Sequence, residues 1–165
     1  MKTGLLFVSH LFFRLLPETR CFRAKRFLLR ISGVSIGRNV RICSSVRILG
    51  NASLHIGDNT WIGHGTMIVC SESVSIGKNV NIAPLCYIGT GTHEITPDGD
   101  SIAGRGVSFS VVIKDGAWLC ARSTVLAGSE IGLKSIIAAG AVVKGTVEDL
   151  ELVGGVPAKH IKFLV

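Results

Sequence analysis

Large aliphatic residues recur at every sixth position from Ile36 onward, and this period constrains the fold more than any other feature of the chain. Three such positions make one unit, which repeats after 20 residues in the first half and after 18 in the second. The aliphatic positions are Ile36, Ile42, Ile48, Ile56, Ile62, Ile68, Ile76, Ile82, Ile88, Ile113, Leu119, Val125, Ile131, Ile137 and Val143. A period of six fits neither an α-helix nor a strand that alternates every two residues.

The other positions of each hexad indicate how the chain turns. The residue three places after the aliphatic one is often Gly or Asn, as at Asn39, Asn59 and Gly116. These residues enter the left-handed backbone conformation at low cost, which a sharp corner requires. The next residue is small or neutral, as at Thr60 and Ala117. This pattern predicts an all-β solenoid, a parallel β-helix of about five coils whose strands stack about 4.8 Å apart.

The period is interrupted once, between Ile88 and Ile113. About 19 residues leave the coil there, and their Pro and Gly residues predict an extended loop over 93–111. A long excursion from a regular solenoid is usually functional. His93 stands where the coil opens into this loop. A histidine there can accept a proton from a hydroxyl, because the ordinary pKa of an imidazole is about 6.5.

Four segments of the repeat carry a family resemblance: IGKNVNIAPLCYIGTGTH, IKDGAWLCARSTVLAGSEIG, IIAAGAVVKG and LVGGVPAKHI. They resemble the hexapeptide-repeat acyltransferases, in particular sugar O-acetyltransferases of the galactoside/maltose type and their relatives in capsule and lipopolysaccharide clusters. The resemblance implies that the β-helix is left-handed. It also implies that acetyl-coenzyme A donates an acetyl group to a sugar hydroxyl by direct attack, without a metal.

The resemblance assigns the general base to His93. Glu94 is the nearest acid in sequence, and it is either the group that orients this base or a solvated loop charge. One departure matters, because the family has an asparagine on the preceding coil that holds the acceptor hydroxyl, whereas this chain has Gly63 followed by His64. We therefore expect a different acceptor geometry, with His64 as a candidate acceptor contact.

The resemblance also implies where coenzyme A binds. Ala121 and Ala139 would touch its pantetheine arm, although small residues are required at coil corners in any case. The other candidate cofactor-binding residues are Trp118, Lys144, Lys159 and Lys162. The three lysines would meet the phosphates or the adenosine end, or they are plain surface charge. Trp118 is either a rim residue of the groove or an exterior aromatic. Family members place the active site between subunits, so we expect a homotrimer.

The first 41 residues hold nine Lys or Arg and a single acid, whereas the remainder is nearly neutral. No nucleic-acid recognition motif accompanies this charge, so we expect no nucleic-acid partner. Residues 5–31 predict two short helices, the second beginning at Pro17 with Cys21, Ala24, Leu28 and Ile31 on one face. We divide the chain into a helical segment, 1–32, and an acyltransferase domain, 33–165.

The helical segment has two interpretations. It caps the open end of the solenoid, or it docks on an anionic inner membrane through Phe7, Phe12 and Phe13. No apolar stretch is long enough to span a bilayer, and no signal peptide is recognisable. Five cysteines without metal or disulfide spacing fit a reducing compartment. We expect a cytoplasmic protein, with peripheral membrane contact left open.

The family resemblance, together with the position of His93, implies an acetyl-coenzyme-A-dependent O-acetyltransferase of surface polysaccharide synthesis. N-acetylation of an amino sugar or of a nucleotide-linked amino sugar is the alternative reaction. The non-enzyme alternative is a β-helix binding or scaffold protein of the carbonic-anhydrase-like group. Those relatives need three zinc-binding histidines, and His55, His64 and His93 lack their arrangement.

Overall fold

The computed structural model describes residues 1–164 as two helices followed by a solenoid of about six turns. The helices are α1 (Thr3–Arg14) and α2 (Phe22–Ile31). The strands, in chain order, are β1 (Ser35–Ile36), β2 (Arg41–Ile42), β3 (Arg47–Gly50), β4 (Leu54–Ile56), β5 (Trp61–Ile62), β6 (Met67–Cys70), β7 (Val74–Ile76), β8 (Asn81–Ile82), β9 (Tyr87–Gly89), β10 (Gly91–Ile95), β11 (Ala103–Ser108), β12 (Val111–Ile113), β13 (Trp118–Leu119), β14 (Thr124–Val125), β15 (Glu130–Ile131), β16 (Ile136–Ile137), β17 (Val142–Val143), β18 (Thr146–Val147), β19 (Glu151–Gly154) and β20 (Lys159–Phe163).

The solenoid has three flat faces, each a sheet of stacked strands. Face 1 has the order β1-β4-β7-β12-β15-β18, face 2 the order β2-β5-β8-β13-β16-β19-β20, and face 3 the order β3-β6-β9-β14-β17. All pairs within the faces are parallel except β19 with β20. The prediction of a left-handed parallel β-helix is confirmed.

The structure has about six turns instead of the predicted five. The period of six did not predict the last turn, because the corner between β17 and β18 is shorter than the other corners. Val147 comes only four residues after Val143, so the six-residue period ends there although the coil continues.

The predicted aliphatic positions form the core of the prism. All of them are buried, the most accessible being Ile36 at 7%. Parallel register stacks each on its counterpart, as for Ile42 on Ile62 and Ile62 on Ile82. The predicted corner residues Asn59 and Gly116 have φ angles of 60° and 71°. A small residue beside each corner leaves room for the next turn, so the hexad pattern accounts for both core and corners.

The two helices pack over β1, β2 and β3, the strands of the first turn. This turn has no preceding turn to pair with, and helix side chains satisfy its outer backbone groups. Three basic residues donate to carbonyl oxygens there: Lys25 Nζ to Ile42 at 3.2 Å, Arg26 Nη1 to Val40 at 2.8 Å and Arg30 Nη2 to Ile36 at 2.9 Å. Three of the basic residues in the N-terminal segment therefore stabilise the contact between the helices and the solenoid.

The second helix differs from its prediction. It begins at Phe22, after a left-handed residue at Cys21, and not at Pro17. Glu18 lies in the connecting turn instead of a first helical turn, and its carboxylate accepts hydrogen bonds from the backbone and hydroxyl of Ser45. This anchoring to the first coil holds the connection in an extended turn, so the helix starts later.

The predicted faces of the helices are also corrected. In α2 the buried residues are Lys25 and Leu29, whereas Ala24 and Ile31 are exposed. Lys25 is buried because it donates to three carbonyl oxygens, which residue type alone does not reveal. In α1, Phe13 is fully buried against the first turn and cannot insert into a membrane.

The interruption in the period is a β-hairpin and not an irregular loop. Strands β10 and β11 pair antiparallel, with Gly91 opposite Ser108 and His93 opposite Gly106. The hairpin leaves the prism at the corner between faces 3 and 1, after the third turn. This position carries His93 outward from the body of the solenoid.

Candidate active site

His93 is exposed on β10 and held by the opposite strand of the hairpin. Its Nδ1 lies 2.9 Å from the carbonyl oxygen of Gly104. A carbonyl can only accept, so this contact assigns the proton of the neutral ring to Nδ1 and leaves Nε2 with a lone pair. Among the described residues, Nε2 makes no hydrogen bond. The ring is thus positioned to accept a proton from a molecule outside the chain.

Two glycines of β11 create the space for this arrangement. A β-carbon at Gly106 would lie 4.0 Å from His93 Cε1, so the missing side chain leaves the imidazole room beside the strand. A β-carbon at Gly104 would collide with Thr96 Oγ1 and approach the carbonyl oxygen of Glu94 to 3.2 Å. The carbonyl that holds the histidine therefore comes from a residue that has no room for a side chain.

Glu94 contacts a different partner. Its Oε1 lies 2.7 Å from Arg105 Nη2, and both side chains are largely solvated. Successive residues of a strand point to opposite sides, which separates Glu94 from the ring of His93. Within this chain, the group that touches His93 Nδ1 is the Gly104 carbonyl. The sequence gives no sign of such a backbone contact across a hairpin.

A cleft of about 460 Å³ lies between the hairpin and the corners of the next two turns. His93, Glu94 and Lys144 all line it, so the structure brings together three of the residues singled out in the sequence. Phe109 and Leu126 give it an apolar wall. A second cleft, of about 410 Å³, lies on the other side of the hairpin and includes His93 with Ser71.

Ala121 and Ala139 lie on a different edge of the prism, where face 2 turns into face 3. They belong to stacked corners, since the Gly140 amide donates to the Ala121 carbonyl at 3.0 Å. Both alanines are exposed. Trp118 is 47% exposed on face 2, where it stacks between the strands of neighbouring turns. None of these three residues lines the clefts of His93 in the same chain.

Lys159 and Lys162 lie on β20, at the last turn of face 2. Lys159 pairs with Gly154 and Lys162 with Leu152 of β19, and both lysines are exposed. His160 lies between them, with Nδ1 2.7 Å from Oε1 of the largely buried Glu151. The predicted cofactor residues are therefore divided between two edges and the last turn of face 2, with Lys144 alone beside His93.

Gly63 and His64 lie on the edge between faces 2 and 3, one turn before the level of the hairpin. A β-carbon at Gly63 would come within 2.8 Å of the Pro84 nitrogen, so no side chain fits there. This close stacking explains why the chain has no asparagine at the position. His64 is exposed, and its backbone carbonyl accepts from the Leu85 amide.

The four cysteines of the solenoid are unsuited to nucleophilic attack. Cys70 is buried, and burial raises the pKa of its thiol to about 11. Burial also raises the pKa of the Cys86 and Cys120 thiols above the usual value. Within residues 1–164, no histidine hydrogen-bonds to a thiol and no group of three His, Cys, Asp or Glu side chains suits a metal ion. Because the thiolate is the reactive form, these environments disfavour a covalent acyl-enzyme.

Comparison with known proteins shows which proteins the chain resembles. No protein-family model matches the chain. It is 27% identical, over 94% of its length and 83% of the relative's, to the Escherichia coli K12 protein named "Putative lipopolysaccharide biosynthesis O-acetyl transferase WbbJ". The fold matches a hexapeptide-repeat acetyltransferase of Vibrio cholerae with a TM-score of 0.79, 23% identity, and coverage of 99% of this chain and 90% of that one.

The chain is similar in sequence and in fold to the hexapeptide-repeat acetyltransferases. A structure of galactoside acetyltransferase in complex with coenzyme A shares the fold as well, with a TM-score of 0.83, 24% identity, and coverage of 99% of this chain and 81% of that one. The acetyltransferase class that the family resemblance implied is thus confirmed. The chain spans between 45% and 63% of the length of three further curated relatives. No helix within residues 1–164 meets the length and hydropathy that a membrane span requires.

Proposed function

We propose that this hexapeptide-repeat acetyltransferase moves the acetyl group of acetyl-coenzyme A to a hydroxyl of a carbohydrate, with His93 as the general base. The contact between His93 Nδ1 and the Gly104 carbonyl carries this proposal. It fixes the ring and assigns the tautomer whose Nε2 can accept a proton. The exposed ring faces space on both sides of the hairpin, where two substrates can approach.

The reaction needs no covalent enzyme intermediate. The acceptor hydroxyl gives its proton to Nε2 of His93 while its oxygen forms a bond to the thioester carbonyl carbon. The carbon–sulfur bond then breaks, and the departing thiolate of coenzyme A takes the proton from the imidazolium. An acetyl ester and free coenzyme A are the products, and the histidine returns to its starting state.

The larger cleft suits the acyl donor. Phe109 and Leu126 would shield the acetyl group and the end of the pantetheine arm from water. Lys144 at the same cleft would attract a phosphate of the cofactor. Lys159 and Lys162 would supply further positive charge for the phosphates or the adenosine end.

The division of the residues between edges supports a site built from two copies of the chain. Ala121 and Ala139 would receive the pantetheine arm, with Trp118 at its rim. One full side of the prism separates their edge from His93, a distance on the order of 15–20 Å. A homotrimer in which the edge between faces 2 and 3 of one copy meets the hairpin of the next would unite the two halves.

The acceptor is proposed to be a sugar of a surface polysaccharide, in keeping with the lipopolysaccharide role in the name of one relative. His64 and Glu94 are exposed and are the candidate acceptor contacts. We place the reaction in the cytoplasm, where the free cysteines would stay reduced. Amino sugars belong in the same acceptor trial, because amine acetylation would use the same base.

A thiol-release assay tests the proposal. Purified protein is mixed with acetyl-coenzyme A and a panel of neutral and amino sugars, and free thiol is followed over time. His93→Ala should lower turnover by roughly 10²- to 10⁴-fold, which is the usual contribution of a general base. His55→Ala, on face 1 away from both clefts, is the matched control and should keep full turnover. Normal turnover in the His93 variant would remove this residue from the mechanism.

A further inference from the structure

Helix α1 has an apolar face that the fold leaves uncovered. Its buried side consists of Leu6, Ser9, His10 and Phe13, which pack toward α2 and the first turn. Apolar residues of the opposite side, with Leu15 directly after the helix, are exposed to solvent: Leu5, Phe7, Val8, Leu11, Phe12 and Leu15. We call these six residues the α1 outer face. A surface helix normally places polar side chains there, so this face indicates a docking surface.

The exposure of the outer face is large. Phe7 is 64% exposed, Phe12 51% and Leu15 80%. Helix α2 adds Phe27 at 61% and Ile31 at 44%. The Ser9 hydroxyl contacts the Leu28 carbonyl at 3.1 Å and the Ser32 hydroxyl at 2.9 Å, so the two helices lie side by side. The apolar surface therefore extends across the helical pair.

Free positive charges border this surface. Arg14, Arg20 and Arg23 are exposed, and none of their side chains makes a hydrogen bond or ion pair within residues 1–164. Lys25, Arg26 and Arg30, by contrast, donate hydrogen bonds to carbonyl oxygens of the first turn. Glu18 is the one acid of the helical segment, and its carboxylate accepts hydrogen bonds from the amide and the hydroxyl of Ser45.

We propose that the α1 outer face, together with Phe27 and Ile31, docks on an anionic lipid bilayer. Apolar side chains flanked by arginines, without free acids among them, match the acyl boundary and phosphates of such a surface. A protein partner would need acids placed to meet each arginine, whereas a bilayer presents negative charge everywhere. With 12 residues, α1 lies in the interface plane and does not cross it.

This proposal joins the two interpretations of the N-terminal segment. One side of α1 and α2 covers the first turn of the solenoid, and the opposite side meets the lipid. Phe13 belongs to the first side, because it is fully buried. Phe7 and Phe12 belong to the second.

Vesicle flotation with the full chain tests the proposal. The vesicles contain phosphatidylcholine alone or phosphatidylcholine with phosphatidylglycerol. The wild-type protein should float with the anionic vesicles and much less with the neutral ones. The double variant Phe7→Ser/Phe12→Ser should weaken binding by about tenfold or more, because apolar burial is lost. Leu133→Ser/Leu150→Ser removes two exposed leucines elsewhere on the solenoid and should bind normally.

A second pair of variants tests the charges. Arg14→Gln/Arg23→Gln should weaken binding to anionic vesicles by about 25-fold, at roughly fivefold for each charge. Lys78→Gln/Lys134→Gln removes the same charge from corners of the solenoid, outside the helical pair, and should change binding little. Thermal unfolding of every variant establishes that the fold is retained.

Three results would overturn the proposal. The wild-type protein could remain unbound to anionic vesicles, or the phenylalanine variant could bind as tightly as wild type. The phenylalanine variant could also change the oligomeric mass in the absence of lipid, which would make the outer face a contact between copies of this chain. None of these measurements uses acetyl-coenzyme A, so they do not depend on the proposed reaction.

Discussion

The amide nitrogen of Ile48 lies 3.2 Å from Nε2 of His10, so the imidazole of α1 accepts a hydrogen bond from the first turn. Burial, with the positive charges of Arg47 and Arg14 as smaller causes, lowers the pKa of His10 to about 4. The neutral ring is the form that can accept this hydrogen bond. Helix α1 and the solenoid are therefore coupled through a titratable group.

This coupling predicts acid-dependent stability. Because the pKa of His10 falls from 6.5 to about 4 on folding, the unfolded chain binds the extra proton within this interval. The free energy of unfolding should be constant above pH 6.5 as far as this group is concerned. It should decrease as the pH falls toward 4, by on the order of 3 kcal/mol. Urea unfolding at several pH values measures the effect. In His10→Gln the decrease should be smaller, whereas the exposed His55→Gln should behave as wild type.

A second prediction concerns Gly104 as a positioning residue. The β-carbon of Gly104→Ala would collide with Thr96 and move the carbonyl that holds His93. Turnover should fall by about 10- to 100-fold, because a small displacement of a catalytic group is costly. The dissociation constant for acetyl-coenzyme A should not change. Gly4→Ala, in α1 away from both clefts, would have no atom within 4 Å of its β-carbon and should keep normal turnover. A fall in cofactor affinity without a fall in kcat would contradict this role.

The two-copy site leads to a complementation experiment. Ala139→Trp should abolish acetyl-coenzyme A binding, because the indole would fill the groove at the edge between faces 2 and 3. His93→Ala should abolish catalysis. When the two inactive proteins are unfolded together and refolded, a random mixture should recover about a quarter of wild-type turnover, since one in four interfaces combines two intact halves. A mixture that stays inactive, with mixed oligomers present, would place the whole site in one chain.

Lys25 should matter for stability and not for chemistry. Its ammonium donates to the carbonyl oxygens of Pro17, Glu18 and Ile42 at 3.0, 2.8 and 3.2 Å. Lys25→Met keeps the apolar stem but leaves these acceptors without a donor, at an expected cost of about 2–3 kcal/mol. Chemical denaturation measures the change. Lys78→Met, at an exposed corner, should stay within about 0.5 kcal/mol of wild type.

The period of six was enough to predict the solenoid, because a buried aliphatic and a sharp corner leave a visible mark at each hexad. The corners themselves were predicted in part. Leu85 and Arg122 have φ angles of 62° and 60°, although such residues rarely adopt this conformation. Stacked backbone hydrogen bonds between turns hold them there, as between the Leu85 amide and the His64 carbonyl. Hydrogen bonds between turns cannot be predicted from the residue type at a corner, so these two corners were missed.

The candidate site was less accessible from sequence. The position of His93 at the break in the period could be predicted, since an interruption of a regular pattern is visible. Its contact with the Gly104 carbonyl depends on the pairing of two strands across the hairpin, which the sequence does not specify. The cleft that joins Phe109 to Lys144 depends on how the hairpin folds back over later turns. Burial of Lys25 was missed for a similar reason, because its acceptors come from distant parts of the chain.

Other parts of the chain cover some of the backbone at the first and last turns of the prism. Helix side chains occupy the exposed backbone of the first turn, and the antiparallel strand β20 occupies the final position of face 2. A second rod could not pair with β1 and β2 without displacing these helix side chains, which disfavours end-to-end joining at the first turn. The number of turns between the hairpin and β20 sets the distance along the solenoid axis from His93 to Lys159. One inserted turn would lengthen this distance by about 4.8 Å, so a molecule that contacts both residues would have to be correspondingly longer.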